Sequence, residues 1–104
     1  MNLKGKVAIV TGGARDLGRA ISVRFAQEGA KVVVNYFDNP EDAQETLKMI
    51  EAAGSEGIII QGDMTKAADV KRLFDTAVEK FGNEIHALVN VVGGIVGRKT
   101  ITEQ

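Results

Sequence analysis

The stretch from Lys6 to Ala20 constrains the fold more than any other. An unbroken apolar run, Val7-Ala8-Ile9-Val10, passes into Thr11-Gly12-Gly13-Ala14-Arg15-Asp16-Leu17-Gly18 and then into sequence with helical spacing. A run with no polar alternation suits a parallel strand covered on both faces, which places it centrally in a sheet. Glycines let a backbone come close to a ligand, and the helix start that follows carries unpaired N–H groups and a partial positive charge. Strand, glycine turn and helix in this order describe a turn that can hold a phosphate group. Tight turning alone also explains such glycines, so the rest of the chain has to decide. The spacing from Gly13 to Ala20 also matches that of a triphosphate-binding loop, but Arg19 and Ala20 stand where that loop needs lysine and a magnesium-binding hydroxyl.

Downstream, strand and helix patterns alternate. Leu17, Ile21 and Phe25, with Ala20 beside them, predict a helix from about Leu17 to Glu28, ended by Gly29. Val32-Val33-Val34 is β-branched throughout and reads as a second strand ending near Tyr36. Asn39-Pro40-Glu41-Asp42 opens a helix with a capping side chain, a proline at the first position and acids in the first turn. Ala43, Leu47 and Ile50 supply its buried stripe and Gly54 its end; Ile58-Ile59-Ile60 is a third strand, and Thr65 is the expected cap of the next helix. Val70, Leu73, Phe74, Ala77, Val78 and Phe81 recur at helical spacing up to Gly82, and Ile85 to Val92 reads as a fourth strand. The order βαβαβαβ predicts an α/β fold with a Rossmann-like parallel sheet. Gly12, Tyr36, Asp63 and Gly93 then fall at the carboxyl ends of the four strands, where such sheets bind ligands.

Composition removes other classes of function. The 104 residues carry 13 Lys and Arg against 14 Asp and Glu, for a net charge of −1, with no basic cluster of the kind that nucleic acid or an anionic membrane attracts. With no cysteine and one histidine, His86, no metal site is expected, and His86 reads as a strand-end residue. Too few apolar residues follow Lys4 and Lys6 for a signal-peptide core, so a cytoplasmic location is expected.

Three segments together resemble the short-chain dehydrogenase/reductase family, and within it the 3-oxoacyl-acyl-carrier-protein reductase-like branch: Gly5-Lys6-Val7-Ala8-Ile9-Val10-Thr11-Gly12-Gly13, Gly62-Asp63-Met64-Thr65, and Ala87-Leu88-Val89-Asn90-Val91-Val92-Gly93-Gly94. The resemblance covers essentially the whole chain and implies the N-terminal, cofactor-binding half of that fold. It implies that Gly12, Arg15, Asp16, Leu17 and Gly18 wrap a dinucleotide pyrophosphate, that Asp63 and Met64 contact the adenine, and that Asn90 and Gly93 border the ribose. Tyr36 stands where an acid would select the ribose 2′-hydroxyl, which with Arg15 nearby favours NADP(H), while Asp38 keeps NAD(H) open.

The sequence also departs from the family pattern. Val91 and Val92 replace the middle of Asn-Asn-Ala-Gly, and Asp16 occupies the middle glycine of the phosphate turn, so that an anion faces an anion, with Arg15 and Arg19 as offsetting cations. The family's catalytic Ser, Tyr-x-x-x-Lys pair and downstream Asn have no match: Tyr36 is the only tyrosine and Pro40 stands four residues on. No catalytic residue is therefore assigned. The chain is expected to be a segment truncated before the catalytic half, inactive by itself, of an oxidoreductase acting on a small carbonyl or hydroxyl substrate, with 3-oxoacyl thioesters as one class. A non-catalytic dinucleotide-binding or interaction module is the alternative. Folded alone, the fourth strand would be an edge that favours homo-oligomers or other association through Ala87 to Val92.

Overall fold

A computed structural model describes residues 3–12, 16–82 and 84–91. Among the described residues seven elements follow in the expected order: β1 (Val7–Thr11), α1 (Asp16–Gln27), β2 (Lys31–Tyr36), α2 (Pro40–Ala52), β3 (Gly57–Gln61), α3 (Ala67–Phe81) and β4 (Ala87–Asn90). All strand pairings are parallel and the strand order is β3-β2-β1-β4. The chain steps from β1 outward to β3 and then crosses back to place β4 on the other side of β1. The order therefore reverses between β1 and β4, and such a switch point opens a crevice at the carboxyl ends of the strands.

The pleat divides the core into two layers. Val10, Val32, Val34 and Val89 face one way and pack with Ala26, Ala30 and Ile50 from the α1 and α2 side. Ile9, Val33 and Ile60 face the other way, against Leu73 and Ala77 of α3. Every residue of β1 is buried, as a central strand requires, and among the described residues β4 is an edge hydrogen-bonded only to β1.

Several local expectations need correction. In α1 the buried residues are Gly18, Ser22 and Ala26, whereas Leu17 is 46% exposed, Ala20 is exposed, and Ile21 and Phe25 are half-buried flanks. Small residues four apart let the helix backbone settle onto the sheet, with the larger side chains closing the sides. In α2 it is Thr46, not Leu47, that completes the buried stripe with Ala43 and Ile50. Its hydroxyl is satisfied by Arg19 Nε at 2.8 Å, and Arg19 also donates to the Asp42 carbonyl at 3.0 Å. Arg19 thus clamps α1 to α2. Val78, expected in the α3 stripe, is 37% exposed. The cap position of α3 is Lys66 rather than Thr65, which turns back to hydrogen-bond Asp63. β4 is shorter than Ile85 to Val92: it starts at Ala87, and Val92 lies outside the described residues. The cap of α2 is as expected, with Asn39 Oδ1 accepting from the Asp42 N–H at 3.2 Å. His86 serves the sheet: its Nδ1 accepts from the Val7 N–H at 3.1 Å, and its own N–H donates to the Val7 carbonyl.

Candidate functional site

At the switch point the paired strands β1 and β4 remain close just beyond their ends, at Gly12 and Val91. Gly12 follows β1 with φ +72°, and a β-carbon built on it would lie 2.6 Å from the Val91 carbonyl oxygen. Only glycine satisfies both the left-handed backbone and the close approach. Behind this contact the Thr11 hydroxyl donates to Asn90 Oδ1 at 2.7 Å, and the Val91 N–H donates to the Thr11 carbonyl at 3.1 Å. Asn90 therefore ties β4 to β1 by its side chain.

A second turn, Gly62 to Lys66, faces the first across the end of β2. The Gly62 N–H donates to the Tyr36 carbonyl at 2.9 Å. Asp63 is locked from both sides: its N–H donates to Asp69 Oδ2 of α3 at 2.7 Å, and its Oδ1 accepts from the Thr65 N–H at 2.9 Å and the Thr65 hydroxyl at 2.6 Å. The Thr65 hydroxyl and N–H, helped by the charge of Lys66, hold the Asp63 carboxyl below the usual carboxylate range. A depressed folded pKa contributes stability above the unfolded value and loses it as pH falls through that value toward the folded one. Asp63→Asn is therefore expected to be less stable than the parent near neutral pH, with the gap closing once the pH falls below about 4. Denaturation midpoints measured across that range check it; a gap independent of pH would show that the carboxylate charge plays no part.

Between the two turns lies a cavity of about 200 Å³ lined by Thr11, Gly12, Asn35, Phe37, Gly62, Asp63, Met64, Asn90 and Val91. Beside it, a smaller and more apolar cavity of about 150 Å³ runs toward Val70, Leu73, Phe74 and Leu88, sharing Thr11, Met64 and Asn90 with the first. Of the residues expected at the site, the fold brings Gly12, Asp63, Met64 and Asn90 together here. Asp16, Leu17 and Gly18 form the first turn of α1 and do not line this cavity. Tyr36 ends β2 half-buried, with its neighbours Asn35 and Phe37 in the lining instead. Arg15 and Gly93 lie outside the described residues. Arg19, expected to offset Asp16, is engaged with α2.

Asp16 itself has φ +54°, the one non-glycine residue with a left-handed backbone among those described. Aspartate tolerates that region better than most residues, and glycine tolerates it best. Sequence reasoning missed Asn35 and Phe37. Asn35 could have been noticed as the polar residue directly after the apolar run Val32-Val33-Val34, and Phe37, 59% exposed, as a large apolar side chain in a turn. Among the described residues no cluster of His, Asp and Glu could hold a metal ion, and no helix is long and apolar enough to cross a membrane.

A family profile described as short chain dehydrogenase matches residues 6–104. The chain belongs to the short-chain dehydrogenase family. It is 41% identical over 92 residues to glucose 1-dehydrogenase 2 of Bacillus subtilis, covering 88% of this chain and 35% of that protein. It is 42% identical over 105 residues to a short chain dehydrogenase of Passalora fulva, covering 98% of this chain and 39% of that one. Among solved structures, a short-chain dehydrogenase/reductase from Serratia marcescens superposes with a TM-score of 0.82 at 37% identity, over 86% of this chain and 36% of that one. A short chain dehydrogenase from Burkholderia cenocepacia in complex with NADP superposes with a TM-score of 0.81 at 41% identity, again over 86% of this chain and 36% of that one. The chain thus spans little more than a third of the length of these relatives, and the part it matches is the N-terminal part of their fold.

Proposed function

We propose that this chain is the dinucleotide-binding segment of an NAD(P)(H)-dependent oxidoreductase. The observation that carries the reading is the cavity at the β1–β4 switch point, closed on one side by Gly12 and on the other by Asp63 and Met64. At about 200 Å³ it is smaller than the ~300–1,000 Å³ usual for a whole ligand, and it suits the adenosine part of a dinucleotide. Asp63 has the chemistry for adenine: Oδ1 is occupied by Thr65, and Oδ2, which makes no hydrogen bond among the described residues, is left to accept from an exocyclic amino group. The Met64 N–H is the matching ring donor. Gly12, Arg15, Asp16, Leu17 and Gly18 would hold the pyrophosphate at the start of α1, and Asn90 and Gly93 would border the ribose.

When bound, the nicotinamide carries the hydride; this segment binds and orients it. Acid catalysis and substrate choice are assigned to residues outside this chain. The substrate class in this reading is a small ketone or alcohol, with 3-oxoacyl thioesters as the narrower case. NADP(H) is favoured over NAD(H). Tyr36, not an acid, ends β2, exposed Asp38 does not line the cavity, and one of the similar solved structures was determined with NADP. The edge of β4 is assigned to association with a second copy.

A fluorescence titration of the chain with NADPH and, separately, NADH tests this reading. Saturable binding with the tighter constant for NADPH is expected. No binding of either overturns the reading, and tighter binding of NADH overturns the cofactor preference alone.

A further inference from the structure

A polar side chain buried in a central strand needs a reason. Asn35 is 3% exposed and sits between Val34 and Tyr36 near the end of β2. The ladder between β1 and β2 has its last registered pair at Val10 and Val34, so the backbone pairing between these strands runs out just before Asn35. Its side-chain amide extends the connection. Oδ1 accepts from the Gly12 N–H at 3.3 Å; on the opposite side Nδ2 lies 3.3 Å from the Ile60 carbonyl and 3.2 Å from the Gly62 carbonyl. The orientation follows from its partners. A flipped amide would set NH₂ against an N–H and an oxygen against two carbonyls. Among side chains of this length, only an amide accepts on one side and donates on the other. Aspartate would present oxygen to the Ile60 and Gly62 carbonyls, and an apolar residue would leave all three backbone groups without this partner.

We propose that Asn35 is the positioning residue that sets the distance between the two halves of the crevice, the turn after β1 and the turn after β3. This rests on the reading that the crevice binds a dinucleotide. A ligand that bridges both turns gains from their fixed spacing, because neither turn has to be ordered on binding. A ligand that touches only the Gly62–Met64 turn gains nothing from it. The Gly12 N–H is engaged by Asn35, so the part of Gly12 at the pyrophosphate is to let the backbone come close rather than to donate.

The test is a titration of the parent chain and Asn35→Leu, which removes the amide at similar size and adds no charge, with two probes: NADPH, which bridges the turns, and adenine, which meets only the Asp63–Met64 turn. The expected result is a loss of about tenfold or more for NADPH, with adenine changed less than about twofold. Equal losses for both probes would mark a general structural role and overturn the proposal, as would an unchanged NADPH affinity. If the parent fails to bind NADPH, the dinucleotide reading falls and takes the proposal with it, which separates that failure from the other two. Should Asn35→Leu fail to fold, amide exchange on the parent chain decides. The Gly12 N–H is expected to exchange slowly, alongside the protected amides of β1; exchange at the rate of an open turn overturns the proposal.

Discussion

Alanine at position 12 is expected to destabilise the chain by about 3 kcal/mol, combining ~1–2 kcal/mol for an L-residue in the left-handed region with ~1–3 kcal/mol for overpacking, less a small gain from a stiffer unfolded chain. The steric part is specific to this position. The added carbon would lie 2.6 Å from the Val91 carbonyl oxygen, a backbone atom that cannot swing aside as a side chain does. Relief requires β1 and β4 to part at the switch point, which strains the Thr11–Asn90 hydrogen bond and reshapes the cavity. Gly54→Ala is the control. Gly54 has a similar φ of +91° but no atom within 4 Å of the added carbon, so it isolates the backbone part at about 1 kcal/mol. Urea denaturation of the two variants and the parent should give a clearly lower midpoint for Gly12→Ala than for Gly54→Ala, with a common slope. Equal midpoints would show that the close approach of the strands is not a constraint. Since a domain is stable by only ~5–15 kcal/mol, about 3 is a large share.

Removing the charge of Asp16 is expected to tighten NADPH binding by roughly fivefold to a thousandfold. Two unit charges about 4 Å apart repel by ~1 kcal/mol in water and ~4 kcal/mol at an effective dielectric of 20, and those energies set the range. Three variants separate charge from backbone. Asp16→Asn removes the charge and keeps a side chain that tolerates φ +54°; Asp16→Gly removes the charge and relaxes the backbone; Asp16→Ala removes the charge and leaves a Cβ in an unfavoured region. All three should bind more tightly, and alanine should be the least stable. For glycine, the relaxed backbone gains about what is lost when a carboxylate leaves the first turn of a helix, ~0.3–1 kcal/mol, so affinity changes while stability hardly does. Because Asp16 is exposed, the gap between the parent and Asp16→Asn should narrow as salt rises toward ~1 M, where charges are screened within about 3 Å. Unchanged affinity in Asp16→Asn and Asp16→Gly would show that the carboxylate points away from the phosphates.

Signals that depend on a distant partner are not legible in the sequence, and those within a few residues of one another are legible only where a single local arrangement is open. The Asn39-Pro40 start of α2 is legible because cap, proline and acids all act within one turn. Thr65 is misread because two local arrangements compete. As a cap it would have served Lys66 and beyond, but Asp63 two residues back supplies a charged acceptor for both its N–H and its hydroxyl. The buried face of α1 was hidden because periodicity is read from large apolar residues. Here the contact is made by Gly18, Ser22 and Ala26, whose small size is the reason they are buried.

The alternation of apolar strands and amphipathic helices and the glycine turn after β1 follow from side-chain chemistry at known spacing, and they determine a parallel α/β sheet with a glycine turn at the carboxyl end of its first strand. The strand order β3-β2-β1-β4 was decided only in three dimensions, and with it the contact between Gly12 and Val91. So was the work of two polar side chains. Arg19 reaches Thr46 across 27 residues, and Asn35 reaches Gly12 and Gly62 across 23 and 27. A hydrogen bond is specified by two partners at about 3 Å, and a linear pattern shows only one of them until folding brings the other within reach.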